Sequence, residues 1–243
     1  ILKPLTDPDF SHIKNVRIGT KALTYHPYRF LTDPDADKLM DVLSRFIQAG
    51  KHISIMAHFS HINELTPVTI EAASRLRSIG CNIRTQAPIM KYINDTPQAW
   101  AKMWEKQVQV GMVPYYMFIA RDTGPQAYFE VTLDKALTIY QEARKCLSGL
   151  SHTARGPSMS TGPGKIYVVG KEKVAGEKVF ILKFLQARNN DWCDRVFFAK
   201  YDEKATWLDQ LKPAFGGREF FFEEEYREII ASKQKKQESV VCR

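Results

Sequence analysis

The stretch from His52 to Ala87, HISIMAHFSHINELTPVTIEAASRLRSIGCNIRTQA, decides the fold class. Residues 52–59 (HISIMAHF) form an apolar run of strand length. TPVTIEAASRLRSIG (66–80) has a threonine at the cap position, proline at the first helical position and glycine at the end. CNIRTQA (81–87) is a second strand. The order strand, helix, strand with short connections predicts a parallel pair and a right-handed crossover.

The same grammar recurs on both sides. KNVRIGT (14–20) reads as a strand, and PDADKLMDVLSRFIQAG (34–50) follows with Leu39, Val42, Leu43, Phe46 and Ile47 at helical spacing. DTPQAWAKMWEKQVQVG (95–111) repeats the cap, proline, helix and glycine; MVPYYMFIA (112–120) is a strand and TLDKALTIYQEARKCL (132–147) a helix. These units share grammar but not sequence, so they predict an α/β sheet covered by helices rather than a solenoid. In such folds sites are built where strands end. Three polar residues stand there: His58, Gln86 and Arg121. Each has a plain structural alternative. His58 and His61 are either structural histidines or a metal pair with Glu64 as the carboxylate; Gln86 is a cap or a ligand contact; Arg121 is a site residue or the partner of Asp122.

The character changes after the fourth helix. SGLSHTARGPSMSTGPGK, ending at Lys165, reads as a long Gly/Ser/Pro-rich loop. KIYVVG, the turn VAGEK and VFILKFLQ read as an antiparallel pair, and FFFEEEYREIIASK as an amphipathic helix before a frayed end. The expected organisation is a layered region over 10–150, a loop over 151–164, a β-rich region with a terminal helix over 165–232, and a flexible tail over 233–243. STGPGKIYVVG (160–170) is not a nucleotide-binding loop: glycine is required where Met159 stands, and Ser or Thr where Ile166 follows the lysine. Lys165 is then either a turn lysine at the surface or a Schiff-base lysine, for which the small neighbours give room.

Composition bounds the rest. The chain has 243 residues, 44% hydrophobic and 26% charged, in the range of globular proteins. A net charge of +8 admits nucleic acid, but no recognised motif supports it, and the basic stretch SKQKKQ explains part of the excess. The apolar runs are too short to cross a bilayer. Cys81, Cys146, Cys193 and Cys242 form no C-x-x-C pair, which excludes a zinc ribbon or cluster motif in this sequence and fits a reducing, cytoplasmic setting.

Taken in order, VRIGTKALTYHPYRFLTD, MAHFSHINELTP, IRTQAPIMKYINDTPQAWAKMW, VPYYMFIARDTGPQAYF, LSGL and GPSMSTGPGKIYVVG resemble the C-terminal half of the lysine 2,3-aminomutase family, from about residue 13 to 170. The resemblance implies the later units of a partial (β/α) radical S-adenosylmethionine barrel. It implies three cofactors: S-adenosylmethionine, a 4Fe-4S cluster and pyridoxal phosphate. Lys165 would be the covalent anchor of pyridoxal phosphate, and His58 and Gln86 would lie on the S-adenosylmethionine and cofactor side. The family reaction moves an α-amino group from C2 to C3 of an amino acid, using a deoxyadenosyl radical made by reducing S-adenosylmethionine at the cluster.

Two departures from the family pattern matter. The C-x-x-x-C-x-x-C cluster motif is absent, so the chain is expected to be a fragment of a longer enzyme, with no metal ligands of its own and inactive alone. The lysine-specific members hold the substrate ammonium with two aspartates; here Arg121 and Ser158 occupy those places. A guanidinium repels an ammonium and binds a carboxylate, which implies an acidic or neutral side chain such as glutamate's. Asp122, one residue on, would restore an acid if the register shifted. The alternatives are a lysine 2,3-aminomutase proper and a non-catalytic basic α/β binding module. Expected partners are the amino-acid substrate, an electron donor for the cluster and further copies of the chain, since an unpaired KNVRIGT edge favours self-association.

Overall fold

The computed structural model describes residues 7–121 and 124–241. Its element order is β1 (Asn15–Thr20), α1 (Ala22–Tyr25), α2 (Ala36–Gln48), β2 (His52–His58), α3 (Pro67–Ser78), β3 (Asn82–Ile89), α4 (Pro97–Gln109), β4 (Val113–Ile119), α5 (Gln126–Phe129), α6 (Leu133–Lys145), β5 (Arg155–Ser160), β6 (Gly164–Val174), β7 (Glu177–Ala187), β8 (Val196–Lys200) and α7 (Glu223–Val241). The chain divides into two compact units, Ile1–Met117 with Ile139–Arg155, and Phe118–Thr138 with Gly156–Arg243.

The first unit is the expected α/β assembly. β1 pairs with β2 and β2 with β3, both parallel, and β4 lies next to β3. β2 is buried on both faces from Ile53 to Ala57, as a strand covered by helices must be. The helices begin where their sequences say. Thr66 Oγ1 accepts from Thr69 N at the start of α3, and Thr96 Oγ1 from Ala99 N at the start of α4, so the caps satisfy donors that a helix leaves open. α2 buries Ala36, Met40, Leu43 and Phe46, one stripe at helical spacing. α4 buries Trp100 and Trp104, whose rings lie 5.1 Å apart, with the Tyr140 ring edge-on to Trp104 at 5.9 Å.

In the second unit β5, β6, β7 and β8 pair antiparallel in chain order. The VAGEK turn joins β6 to β7 with Ala175 and Gly176 both at positive φ (48° and 85°), the backbone that a two-residue hairpin needs. β7 presents Phe184 to Trp192, Phe197 and Phe222, an aromatic core into which the FFF segment before α7 folds.

Two expectations change in detail. Residues 155–160, inside the segment read as a loop, form β5, and Gly156 to Met159 are buried. Their Gly, Pro and Ser side chains hide the alternation that marks a strand, and pairing with β6 supplies the order instead. The terminal helix runs to Val241, into the 233–243 stretch expected to be a flexible tail. No helix among the described residues is long and apolar enough to cross a membrane.

Candidate functional site

In the first unit two of the singled-out residues meet. His58 ends β2 and stands opposite Gln86 in the β2–β3 register. The chain then turns so that Phe59 N donates to Gln86 O. His58 Nε2 and Ser60 Oγ share a hydrogen bond at 3.2 Å. Glu64 takes the Ser60 N–H on one oxygen at 2.6 Å and Lys21 Nζ on the other at 3.2 Å. Asn94 Nδ2 donates to Ser60 O. Burial of His58 pushes its pKa below the ordinary 6.5, the nearby Lys21 charge lowers it further, and Glu64 opposes both. At neutral pH the ring is therefore uncharged, able to donate at one nitrogen and accept at the other.

The metal option for His58 and His61 takes a different form here. His61 Nδ1 accepts from Asn63 N, and Glu64 is committed to Lys21 and the loop backbone. Among the described residues, no group of three His, Cys, Asp or Glu side chains is placed to hold a metal ion. Lys21, Ser60 and Glu64 were not singled out as a group by sequence, because Lys21 is 39 residues from Ser60 and 43 from Glu64.

In the second unit Lys165 is the second residue of β6, pairing with Ser160 of β5 and Gln186 of β7. The β6–β7 register slips between Lys165 and Ile166. Such a bulge re-aims the side chain relative to a regular strand. The Lys165 amine lies 4.9 Å from the centre of the Phe118 ring. Beside it is a cleft of about 290 Å³ lined by Ser160, Thr161, Gly164, Lys165, Gln186, Ala187 and Arg188. Arg121 donates to Ser160 O at 3.2 Å, so it is brought to the residue facing Lys165. Ser158 lies two residues back in β5, opposite Tyr167, with no exposed surface. Arg121 is exposed, so of the pair it is the one that an incoming ligand can meet. Asp122 lies outside the described residues.

The small residues before Lys165 do a different job from the one read in the sequence. A Cβ on Gly164 would come within 2.2 Å of Gln186 O and 2.8 Å of Ala187 Cα. The absent side chain lets β7 approach; the room for a ligand is in the cleft beyond. Arg188, which sequence reasoning did not single out, fixes the loop by donating Nε to Gly162 O and its backbone N–H to Pro163 O. A cleft of this size lined by an amine and a guanidinium side chain suits a small carbonyl compound carrying an anionic group.

These features define a class: an α/β chain whose first unit carries parallel strand–helix repeats and whose second sets a lysine on an inner antiparallel strand beside a basic cleft. No protein-family model matches the sequence. A protein of Aquifex aeolicus that carries the name of an L-lysine 2,3-aminomutase is 30% identical over 210 residues, which is 86% of this chain and 54% of the relative. The L-lysine 2,3-aminomutase of Escherichia coli is 26% identical over 57% of this chain and 38% of its own length. The glutamate 2,3-aminomutase of Clostridioides difficile is 22% identical over 76% of this chain and 39% of its own length. Over the region it carries, the chain is similar to curated lysine 2,3-aminomutases, and it spans about half the length of the first of these relatives. One solved structure, a domain of a pyruvate-formate lyase-activating enzyme from Bacteroides vulgatus, matches with a TM-score of 0.38 at 12% identity over 58% of this chain and 98% of that one, a likeness too slight to bear on the fold.

Proposed function

We propose that this chain is the C-terminal portion of an amino-acid 2,3-aminomutase that uses S-adenosylmethionine, a 4Fe-4S cluster and pyridoxal phosphate, and that its substrate is not lysine. The observation that carries the substrate reading is Arg121, a guanidinium bound to Ser160 O directly across the β5–β6 pair from Lys165. An exposed cation there attracts a substrate carboxylate and repels an ammonium. Ser158 contributes by leaving no buried acid beneath the site. An α-amino acid with an acidic or neutral side chain, such as glutamate, fits both positions.

The cofactor, when bound, supplies the electronic route for migration of the amino group. The chain's own residues do the rest. Lys165 offers the primary amine for attachment, Arg188 supplies positive charge for a phosphate, and Phe118 covers one side of the amine. His58 and Gln86 are assigned to the S-adenosylmethionine and cofactor side, where an uncharged imidazole held by Ser60 keeps one orientation. The cluster ligands would come from outside this sequence, so the chain alone is inactive. A stable cluster and adenosine production after reconstitution of this chain with iron and sulfide would refute that.

The deciding assay offers lysine and glutamate to the full-length protein; robust turnover of lysine alone refutes the substrate reading. A non-catalytic binding module is separated more simply: pyridoxal phosphate added to the chain gives Schiff-base absorbance that is lost in Lys165→Ala. The reading also includes self-association through β1, which among the described residues has a strand neighbour on one side only. A clean monomer by light scattering would count against it.

A further inference from the structure

Pro163 stands between two glycines, and each lacks a side chain for a different reason. Gly164 gives way to β7, as described above. At Gly162 a Cβ would meet Tyr226 Oη at 2.4 Å and Tyr226 Cζ at 3.2 Å. Gly162 is not at the positive φ that favours glycine, so the contact with Tyr226 is what the structure offers as the reason for the missing side chain. Tyr226 belongs to α7, far along the chain from the loop.

The helix is held where Tyr226 leaves it. Phe222, one turn earlier, is buried with its ring 5.0 Å from Phe184 and 5.9 Å from Trp192. Glu225, the neighbour of Tyr226, accepts from Trp192 Nε1 at 2.8 Å and Asn189 Nδ2 at 2.5 Å. The first turns of α7 are thus pinned to the segment joining β7 to β8, and the position of Tyr226 follows from that. On this side of the loop is a cleft of about 360 Å³ whose walls include Thr161, Gly162, Pro163, Trp207 and Tyr226. The far side of the loop is the wall of the Lys165 cleft, through Thr161 and Gly164. Tyr226 is both a wall of this second cleft and the side chain that a Cβ on Gly162 would meet, so it backs the loop at that point.

We infer that Tyr226 is a positioning residue for Lys165: α7 acts as a brace behind the Gly-Pro-Gly turn and so sets the reach of the amine. The part played by the amine rests on the reading of Lys165 as a pyridoxal phosphate anchor; the brace itself does not. It gives the C-terminal helix a role in the site without any α7 side chain touching a ligand.

The experiment compares the wild-type chain with Gly162→Ala, Tyr226→Phe, the double variant and Tyr226→Ala. Backbone amide exchange over residues 158–168 reports the loop, and borohydride-trapped pyridoxal phosphate reports the amine. Gly162→Ala places a methyl group against the Tyr226 hydroxyl, so exchange in the loop is expected to rise about tenfold and capture to slow by a similar factor. Tyr226→Phe removes the clashing oxygen, so the double variant is expected to recover most of both. Tyr226→Ala is expected to raise loop exchange with the helix intact, and it decides the matter if Gly162→Ala does not fold. The inference is overturned if Tyr226→Ala leaves loop exchange unchanged, or if the Gly162→Ala effect persists in the double variant. If exchange follows the expected pattern while the wild type captures no pyridoxal phosphate, the brace stands and the anchor reading falls.

Discussion

The two units build their candidate sites in opposite ways. In the first, His58 and Gln86 are neighbours because β2 and β3 run parallel in register; β2 ends at His58, while β3 continues past Gln86 to Ile89. Their supports, Ser60 and Glu64, come mostly from the turn that follows. In the second, Lys165 is surrounded by residues brought from distant points: Phe118 and Arg121 from before β5, Arg188 from the end of β7 and Tyr226 from the last helix. A parallel sheet gathers residues by its topology, so their places follow from the order and register of its strands. An antiparallel sheet with a terminal helix gathers them by packing, which carries no local signature.

The largest effect expected is at the amine. Lys165→Ala should abolish covalent trapping of pyridoxal phosphate, while Lys171→Ala, which breaks an ion pair to Asp134 further along the same strand, should retain it. Mass analysis after borohydride reduction distinguishes them, and equal loss in both would remove the special status of the second unit's lysine. Next are the packing tests. Leu43→Ala in α2 empties a fully buried position and should lower stability by about 2–5 kcal/mol in urea denaturation. Gly164→Ala should cost less, about 1–3 kcal/mol, by forcing β6 from the Gln186–Ala187 backbone. A negligible cost there would mean that the turn does not need the close approach.

The smallest effect is the pH response of the first unit. Folded His58 resists protonation, whereas the unfolded residue takes a proton near 6.5, so the unfolded state binds more protons as pH falls through that value. The stability contributed is full above pH 6.5 and declines below it, until the folded ring also protonates. His58→Gln should flatten this slope in thermal unfolding measured between pH 7 and pH 5 (endpoints spanning roughly the ordinary histidine range). Asp134 in the second unit gives a contrast. Burial would raise its pKa, but hydrogen bonds from Lys171 and Tyr201 outweigh that and hold it below 3.8, so its contribution is lost only in stronger acid.

The sequence by itself determined the strand–helix order of the first unit, the caps at Thr66 and Thr96, the hairpin at Ala175–Gly176 and the placing of His58 at a strand end; Gln86, expected just after its strand, lies inside β3, which runs on to Ile89. These rest on periodicity, caps and turn chemistry, which act over a few residues. It also singled out Lys165, Arg121 and Ser158 through a resemblance in order and spacing. Tertiary structure alone decided that Arg155–Ser160 is a buried strand, that Glu64 serves Lys21 and Ser60, that Arg188 fixes the Lys165 loop, and that Gly162 yields to Tyr226. Each of these joins residues many positions apart, and a short sequence window holds only one side of such a contact. The glycines before Lys165 show the limit most directly: the sequence marks where a side chain is missing, and only the packed chain shows what occupies its place.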